Sequence, residues 1–393
     1  MNTSHGGALA GLRLDDPEAI EAGDSGGLLR RIASAAAQVR TAHRASEEAS
    51  LSLSRPRAIV IAAGGASALA GDALAAVCGT MTHVQVTTVR GYQLPGWTGA
   101  ADLVIGVSAS GAGTEVLALS TEAVRRGCDF AGIGPAKSPL ADLAAQARGT
   151  YVPVSVDGSG RSSLWALLVP LVFIASRLGL ARIADEEYEA TAELLEEMAR
   201  QCKPSSESFV NPAKSLALDI WGTVPLIWGG SPLATVAARR FASLLAQNAK
   251  YPALAGDFPT VAHDQVSLLD GPFAPAPAPR FPSSEDIGAD LEDADEVSDD
   301  TPGTPELRLV LLADPAGEHE THTRMRAAAE SLAAERRIGA TCLALDGDGP
   351  LRRLASATQL LDYTSAYLGI ASGLDPLASA ARGELRNLAQ QAE

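Results

Sequence analysis

The stretch VSASGAGTEV, residues 107 to 116, sets Ser108 and Ser110 beside Gly111 and Gly113, just after an apolar run and just before a helix opening near Thr114. Hydroxyl donors next to the free N–H groups of a helix start form a seat for a phosphate. The helix dipole supplies only about 0.3–2 kcal/mol there, so hydroxyls and backbone donors must fix the ligand's position. The same residues also suit an ordinary polar loop between strand and helix, and spacing alone leaves both readings open.

Other segments offer partners for an anion. AAGGASALAGD closes the first apolar run with Gly64, Gly65 and Ser67; it lacks the GxGxxG spacing, so the dinucleotide fingerprint fails. Gly132 and Gly134 form only GxG. Arg161, between a glycine turn and a helix in DGSGRSS, suits an anion clamp or a plain surface position. Lys250, one of four lysines, has the same two readings. His263 in FPTVAHDQV suits a structural or a proton-transfer role. His319 and His322 in GEHETH lie three apart at a helix start, with no third ligand evident, so no metal is expected.

These residues need elements to hold them. RAIVIAAGG, HVQVTTV, DLVIGVSASG and DFAGIG read as strands, separated by helical segments such as TEVLALSTEAVRRG. Strands alternating with helices of about 10 to 15 residues predict βαβ units and a parallel sheet covered on both faces. The alternation returns at VPLIWGGS, LRLVLLAD and GATCLALDGD. The first 50 or so residues read as a mobile start followed by a helix. LWALLVPLVFIA, residues 164 to 175, predicts a buried helix, too short for a bilayer. ADEEYEATAELLEEMARQ predicts an amphipathic helix whose carboxylates form a solvated face. Residues 272–306, rich in proline, serine and acid, predict a disordered insertion.

At 393 residues, two domains are expected, divided as an N-terminal extension and helix at 1–50, a first domain at 51–200 and a second at 201–393. The net charge of −16 argues against nucleic acid and anionic membrane surfaces. Cys78, Cys128, Cys202 and Cys342 are scattered, which fits reduced thiols, and the first residues lack a secretory pattern; a soluble, cytoplasmic protein is expected.

In this order, the segments resemble the sugar isomerase (SIS) superfamily, and more narrowly the bifunctional phosphoglucose/phosphomannose isomerase family. The resemblance covers about residues 55 to 390, the insertion excepted. Gly65-Ala66-Ser67 stands where the family has a GGS turn, and residues 108–115 where it has an SYSGNTEE-like phosphate loop, with Gly113 at the threonine and Thr114 adjacent. Arg161 falls on the arginine of a PR motif, thought to face the developing enediolate. RRFASLLAQNAKYPA, FPTVAHDQV and TSAYLGIASGLDPLASAARGELRNL resemble further family motifs.

The resemblance implies two tandem SIS domains, each an α/β/α sandwich of flavodoxin-like type with a parallel sheet flanked by helices. It implies a hexose phosphate held by Gly65, Ser67, Ser108, Ser110, Gly111 and Thr114. It further implies a homodimer with the pocket at the subunit interface and no metal or organic cofactor. The catalytic positions correspond to Arg161, Gln247, His263 and Arg386. Aldose–ketose isomerisation needs a base that accepts a proton from carbon. The family's base is a glutamate; Gln247 carries an amide, which cannot take up and return a proton near neutral pH. The final lysine is Arg386, which keeps charge but transfers protons poorly. Leu377, Thr260 and Gln265 also replace family residues. The expectation is sugar-phosphate binding with isomerase activity lost or reduced. The alternative is an active glucose-6-phosphate or mannose-6-phosphate isomerase in which another acid, Asp257 or Asp264, replaces the base.

Overall fold

The structure, a computed structural model, describes residues 10–51, 53–79, 82–156, 160–275 and 305–391. Residues 1–9 of the expected mobile start lie outside the described residues; from residue 10 the chain is helical, followed by α1 (Pro17–Gly23), α2 (Leu28–Ala33) and α3 (Ala35–Glu48). Asp16 caps α1 by accepting from the N–H of Glu18, and Pro17 fits the first turn, where no N–H is needed. The turns before α2 bury few side chains, Leu14 and Ile20 among them, so their helical period is too short to read, whereas the expected helix is present as α2 and α3.

The first sheet is built from β1 (Ala58–Ala63), α4 (Ala68–Cys78), β2 (Gln85–Val89), β3 (Leu103–Val107), α5 (Thr114–Arg125), β4 (Asp129–Gly134), α6 (Pro139–Gln146) and β5 (Thr150–Pro153). Its strands are all parallel, in the order β2-β1-β3-β4-β5. Then come α7 (Leu164–Arg177), α8 (Asp185–Gln201) and α9 (Pro212–Ile220). The second sheet uses β6 (Thr223–Gly229), α10 (Pro232–Leu244), β7 (Leu254–Asp257), β8 (Glu306–Ala313), α11 (Glu320–Glu335) and β9 (Gly339–Ala344), in the parallel order β7-β6-β8-β9. Two helices close the chain, α12 (Pro350–Ala371) and α13 (Ala380–Gln391). The α/β architecture with two parallel sheets flanked by helices matches the expectation. The edge strands β5 and β7, four residues each, carry no apolar run and do not stand out in the sequence. Most of the insertion expected at 272–306 lies outside the described residues.

Alternation along the strands sorts side chains between faces. Ile59 and Ile61 of β1 join Ile227 of β6 and Val310 of β8 in one core, filled by helices lying between the sheets. Val60, Val104 and Phe130 pack under α5 and α6, and Leu226, Trp228 and Leu309 pack near α11. Residues Leu164–Ala175 of α7 are all buried, Pro170 included. On α8, Tyr188, Ala192 and Leu195 face inward while Glu189, at 2.7 Å, and Glu196 hold Arg40 of α3.

Candidate functional site

The strand order reverses about β1, whose neighbours β2 and β3 lie on opposite sides, and a crevice at such a point is where ligands enter open α/β sheets. Two candidate loops meet there. Gly65, Ala66 and Ser67 form a short 3-10 turn, and the Ser67 hydroxyl accepts from the N–H of Ala109 at 3.4 Å. Ser108 is buried, with its Oγ 3.4 Å from that of exposed Ser110, which accepts from the N–H of Ala112 at 3.3 Å. Gly111 has φ +65° and lies against the Ser138 side chain, where an added Cβ would come within 2.3 Å. Thr114 opens α5; its hydroxyl lies 3.2 Å from that of Tyr92 and 3.4 Å from Glu115 Oε2. Glu115 in turn covers Gly64, where a Cβ would meet Glu115 Oε1 at 1.9 Å. No motif points to Tyr92, which follows the edge strand β2 and is 64% exposed.

Arg161 is carried to the same place by Gly160, whose Cβ position is 3.4 Å from Ala109 and 4.0 Å from Ser67 Oγ. The arginine is not at the surface: it is 5% exposed, and its Nη1 donates to Asn248 Oδ1 and Pro376 O, both at 3.0 Å, and to Gln247 O at 3.3 Å. Burial, then the charges of Arg382 and Arg31, pull its pKa below the ordinary guanidinium range. Residues 161, 247–248 and 376, remote in sequence, therefore converge beside the two loops.

The backbone makes this possible at the end of α10. Residues Leu245–Ala249 form a π-helical turn and Lys250 follows with φ +57°. Such turns interrupt the regular ladder of hydrogen bonds, and here the carbonyls of Gln247 and Asn248 face cations. Lys250 Nζ lies 2.9 Å from Asp375 O, 3.1 Å from Pro376 O and 3.3 Å from both Gln247 O and Asn248 O. Burial, then Arg161, lower its pKa. The Gln247 side chain is half-buried and donates to Ser243 Oγ at 2.8 Å. Leu377 packs on Gly26, where a Cβ would meet its Cδ1 at 2.4 Å.

The remaining candidates stand elsewhere. Arg386 lies within α13. His263 ends a 3-10 turn beyond β7, is exposed, and has no side-chain hydrogen bond among the described residues. Around it, Thr260 donates to Asp257 Oδ2 at 3.3 Å, Asp257 lies 3.5 Å from Arg239, and Asp264 accepts from the N–H of Gln265. Gln265 is a staple, accepting from Trp228 Nε1 at 2.8 Å and donating to Ala255 O at 3.2 Å.

The second sheet reverses about β6 in the same way, but its crevice is filled. Ser231 donates to Asp314 Oδ2 at 2.6 Å, Arg353 holds the other oxygen, and Glu318, whose side chain is 1% exposed, pairs with Arg326 at 3.2 Å. A Cβ on Gly230 would meet Glu318 Oε1 at 1.9 Å, the relation Gly64 has with Glu115. His319 caps α11 through Thr321 N at 3.2 Å, and His322 Nδ1 lies 3.1 Å from Gly230 O, so both histidines serve this packing.

Comparison with known proteins fits this geometry. Residues 209–388 match the family described as bacterial phospho-glucose isomerase C-terminal SIS domain. The chain is similar to a bifunctional phosphoglucose/phosphomannose isomerase of Caldicellulosiruptor bescii, 27% identical over 214 residues, 54% of this chain and 63% of that protein's length. Among solved structures, a hypothetical protein from Thermus thermophilus superposes with a TM-score of 0.64 at 16% identity, covering 99% of this chain and 94% of that one. A glucose-6-phosphate isomerase like protein from the same organism superposes with a TM-score of 0.56 at 17% identity, covering 93% and 98%. Residues 209–388 thus match a SIS-domain family, and the chain, with two parallel sheets and the fold of these solved structures, is similar to the bifunctional phosphoglucose/phosphomannose isomerases.

Proposed function

We propose that the chain binds a hexose phosphate, and that its isomerase activity is lost or reduced. The phosphate is held by Gly65, Ser67, Ser108, Ser110, Gly111 and Thr114, with Arg161 at the far side. One observation supports the proposal: Gly160 lies against Ala109 and Ser67 while the guanidinium of Arg161 reaches Gln247 O, so the turn at 160–161 links the two loops to the segment that carries residue 247. At that position an amide, bonded to Ser243, cannot exchange a proton with carbon. His263 and Arg386 make up the rest of the family's catalytic set. The exposure of His263 fits a homodimer in which it reaches into the partner's crevice. A cytoplasmic setting suits scattered cysteines and a phosphorylated ligand. Among the described residues no helix is long and apolar enough to cross a membrane.

The second reading is an active aldose–ketose isomerase interconverting glucose 6-phosphate or mannose 6-phosphate with fructose 6-phosphate through an enediol. Asp257 and Asp264 are its substitute bases, and both are already engaged by Arg239 and the Gln265 N–H. That favours the binding function. A coupled assay with fructose 6-phosphate and mannose 6-phosphate separates the two. Turnover of about 10² per second, abolished by His263→Ala, defeats the binding-only proposal. Micromolar binding without turnover, lost on Ser108→Ala with Ser110→Ala, supports it.

A further inference from the structure

Arg161 and Lys250 contact the Gln247 carbonyl, and Arg31 and Arg382 act on Arg161, in a chain whose net charge is −16. Arg161 and Lys250 share the carbonyls of Gln247 and Pro376, and α2, which carries Arg31, packs on the 160–162 turn. Arg382 opens α13 just beyond Pro376. The charges of Arg31 and Arg382 both act on Arg161. Among the described residues none of the four forms an ion pair with a carboxylate; Arg161 and Lys250 contact carbonyl and amide oxygens only. The carboxylates that act on Arg31 and Lys250 form no ion pair with them and bond elsewhere: Asp24 accepts from Leu28 N at 2.6 Å and Leu29 N at 3.0 Å, and Asp375 from Ser25 at 2.6 Å and Leu377 N at 2.8 Å.

Arg161 also keeps one donor free. Its Nε is buried and has no hydrogen-bond partner among the described residues, although the side chain is 5% exposed. A buried charge without a counter-charge is costly, and so is a buried donor without an acceptor. A carboxylate at position 247 would place an anion close by, whereas Gln247 adds none.

We infer that the ligand of this site carries two anionic groups, a phosphate in the 65–67 and 108–114 loops and a carboxylate or second phosphate at its opposite end, seated among Arg31, Arg161 and Arg382. The inference rests on the sugar-phosphate function proposed above and narrows its ligand class. An anion there neutralises like charges that otherwise repel and gives Arg161 Nε an acceptor.

The test is calorimetric titration of the full chain with fructose 6-phosphate, fructose 1,6-bisphosphate and 6-phosphogluconate. At least one of the latter two should bind tenfold or more tightly than fructose 6-phosphate; the bisphosphate winning marks a phosphate at the second position, the phosphogluconate a carboxylate. In the Arg31→Gln, Arg382→Gln double variant that gain should fall below threefold, with fructose 6-phosphate affinity and melting temperature little changed. Affinities within twofold for all three ligands, or a gain that survives the double variant, overturn the inference while leaving hexose-phosphate binding intact. Failure of all three to bind overturns both.

Discussion

Arg161 Nη1 and Asn248 Oδ1 lie 3.0 Å apart, joining the turn after the first sheet to the π-helical end of α10. Asn248 is 1% exposed and also donates to Ser365 Oγ at 2.9 Å. Replacement by aspartate is almost isosteric and supplies a counter-charge. Asn248→Asp should weaken sugar-phosphate binding tenfold or more with a smaller loss of melting temperature than Asn248→Ala, since it gives up only the bond to Ser365, as read by calorimetry alongside thermal denaturation. Asn248→Ala should instead cost about 1–3 kcal/mol of stability, because it strands buried groups.

Position 247 tests the chemistry separately. General acid–base participation is worth about 10²–10⁴-fold, so Gln247→Glu should raise isomerase turnover by a factor in that range if only the base is missing. The coupled assay with fructose 6-phosphate reads it. No gain, with the fold intact, would mean that Arg386 or the placement of His263 also limits the reaction.

Stability of the helical layer depends on a buried ion pair. Arg240 of α10, 2% exposed, donates through Nε to Asp362 Oδ1 of α12 at 2.8 Å and through Nη2 to Arg161 O at 2.9 Å. Removing one partner leaves an uncompensated charge, so Arg240→Ala should cost about 3–5 kcal/mol, measured by urea denaturation. Arg240→Met combined with Asp362→Leu should be far milder, since neither charge is then stranded.

Acid sensitivity should arise partly at Asp102. Hydrogen bonding from Arg57 holds its buried carboxylate below the usual range. A carboxylate depressed in the folded state adds stability that is complete above its unfolded pKa, near 4, and is lost as pH falls through the folded value. Asp102→Asn should therefore lower stability at pH 7 and flatten the loss as pH falls below about 4, as followed by melting temperature against pH.

The strands that pack on both faces are legible because burial demands apolar runs: AIVIAA and ELRLVLLA could be little else. TYVP and LAGD are not, since an edge strand of four residues needs only one neighbour and few apolar side chains. The loops around Ser67 and Ser108 are recognisable as donors, as is the amide at 247. Arg161 is recognisable only as a charge. Its contacts with Asn248 and Pro376 span 87 and 215 residues of sequence, and a separation of that size leaves no local pattern. The cations Arg31 and Arg382 are invisible for the same reason.

The π-helical turn at Leu245–Ala249 makes segment length a constraint in its own right. Deleting one residue there would restore the regular pitch and rotate everything downstream by about 100°, aiming the carbonyls at 247 and 248 away from Arg161 and Lys250. Side-chain identity at 247 can change while the crevice keeps its shape; the residue count between Pro232 and Lys250 cannot.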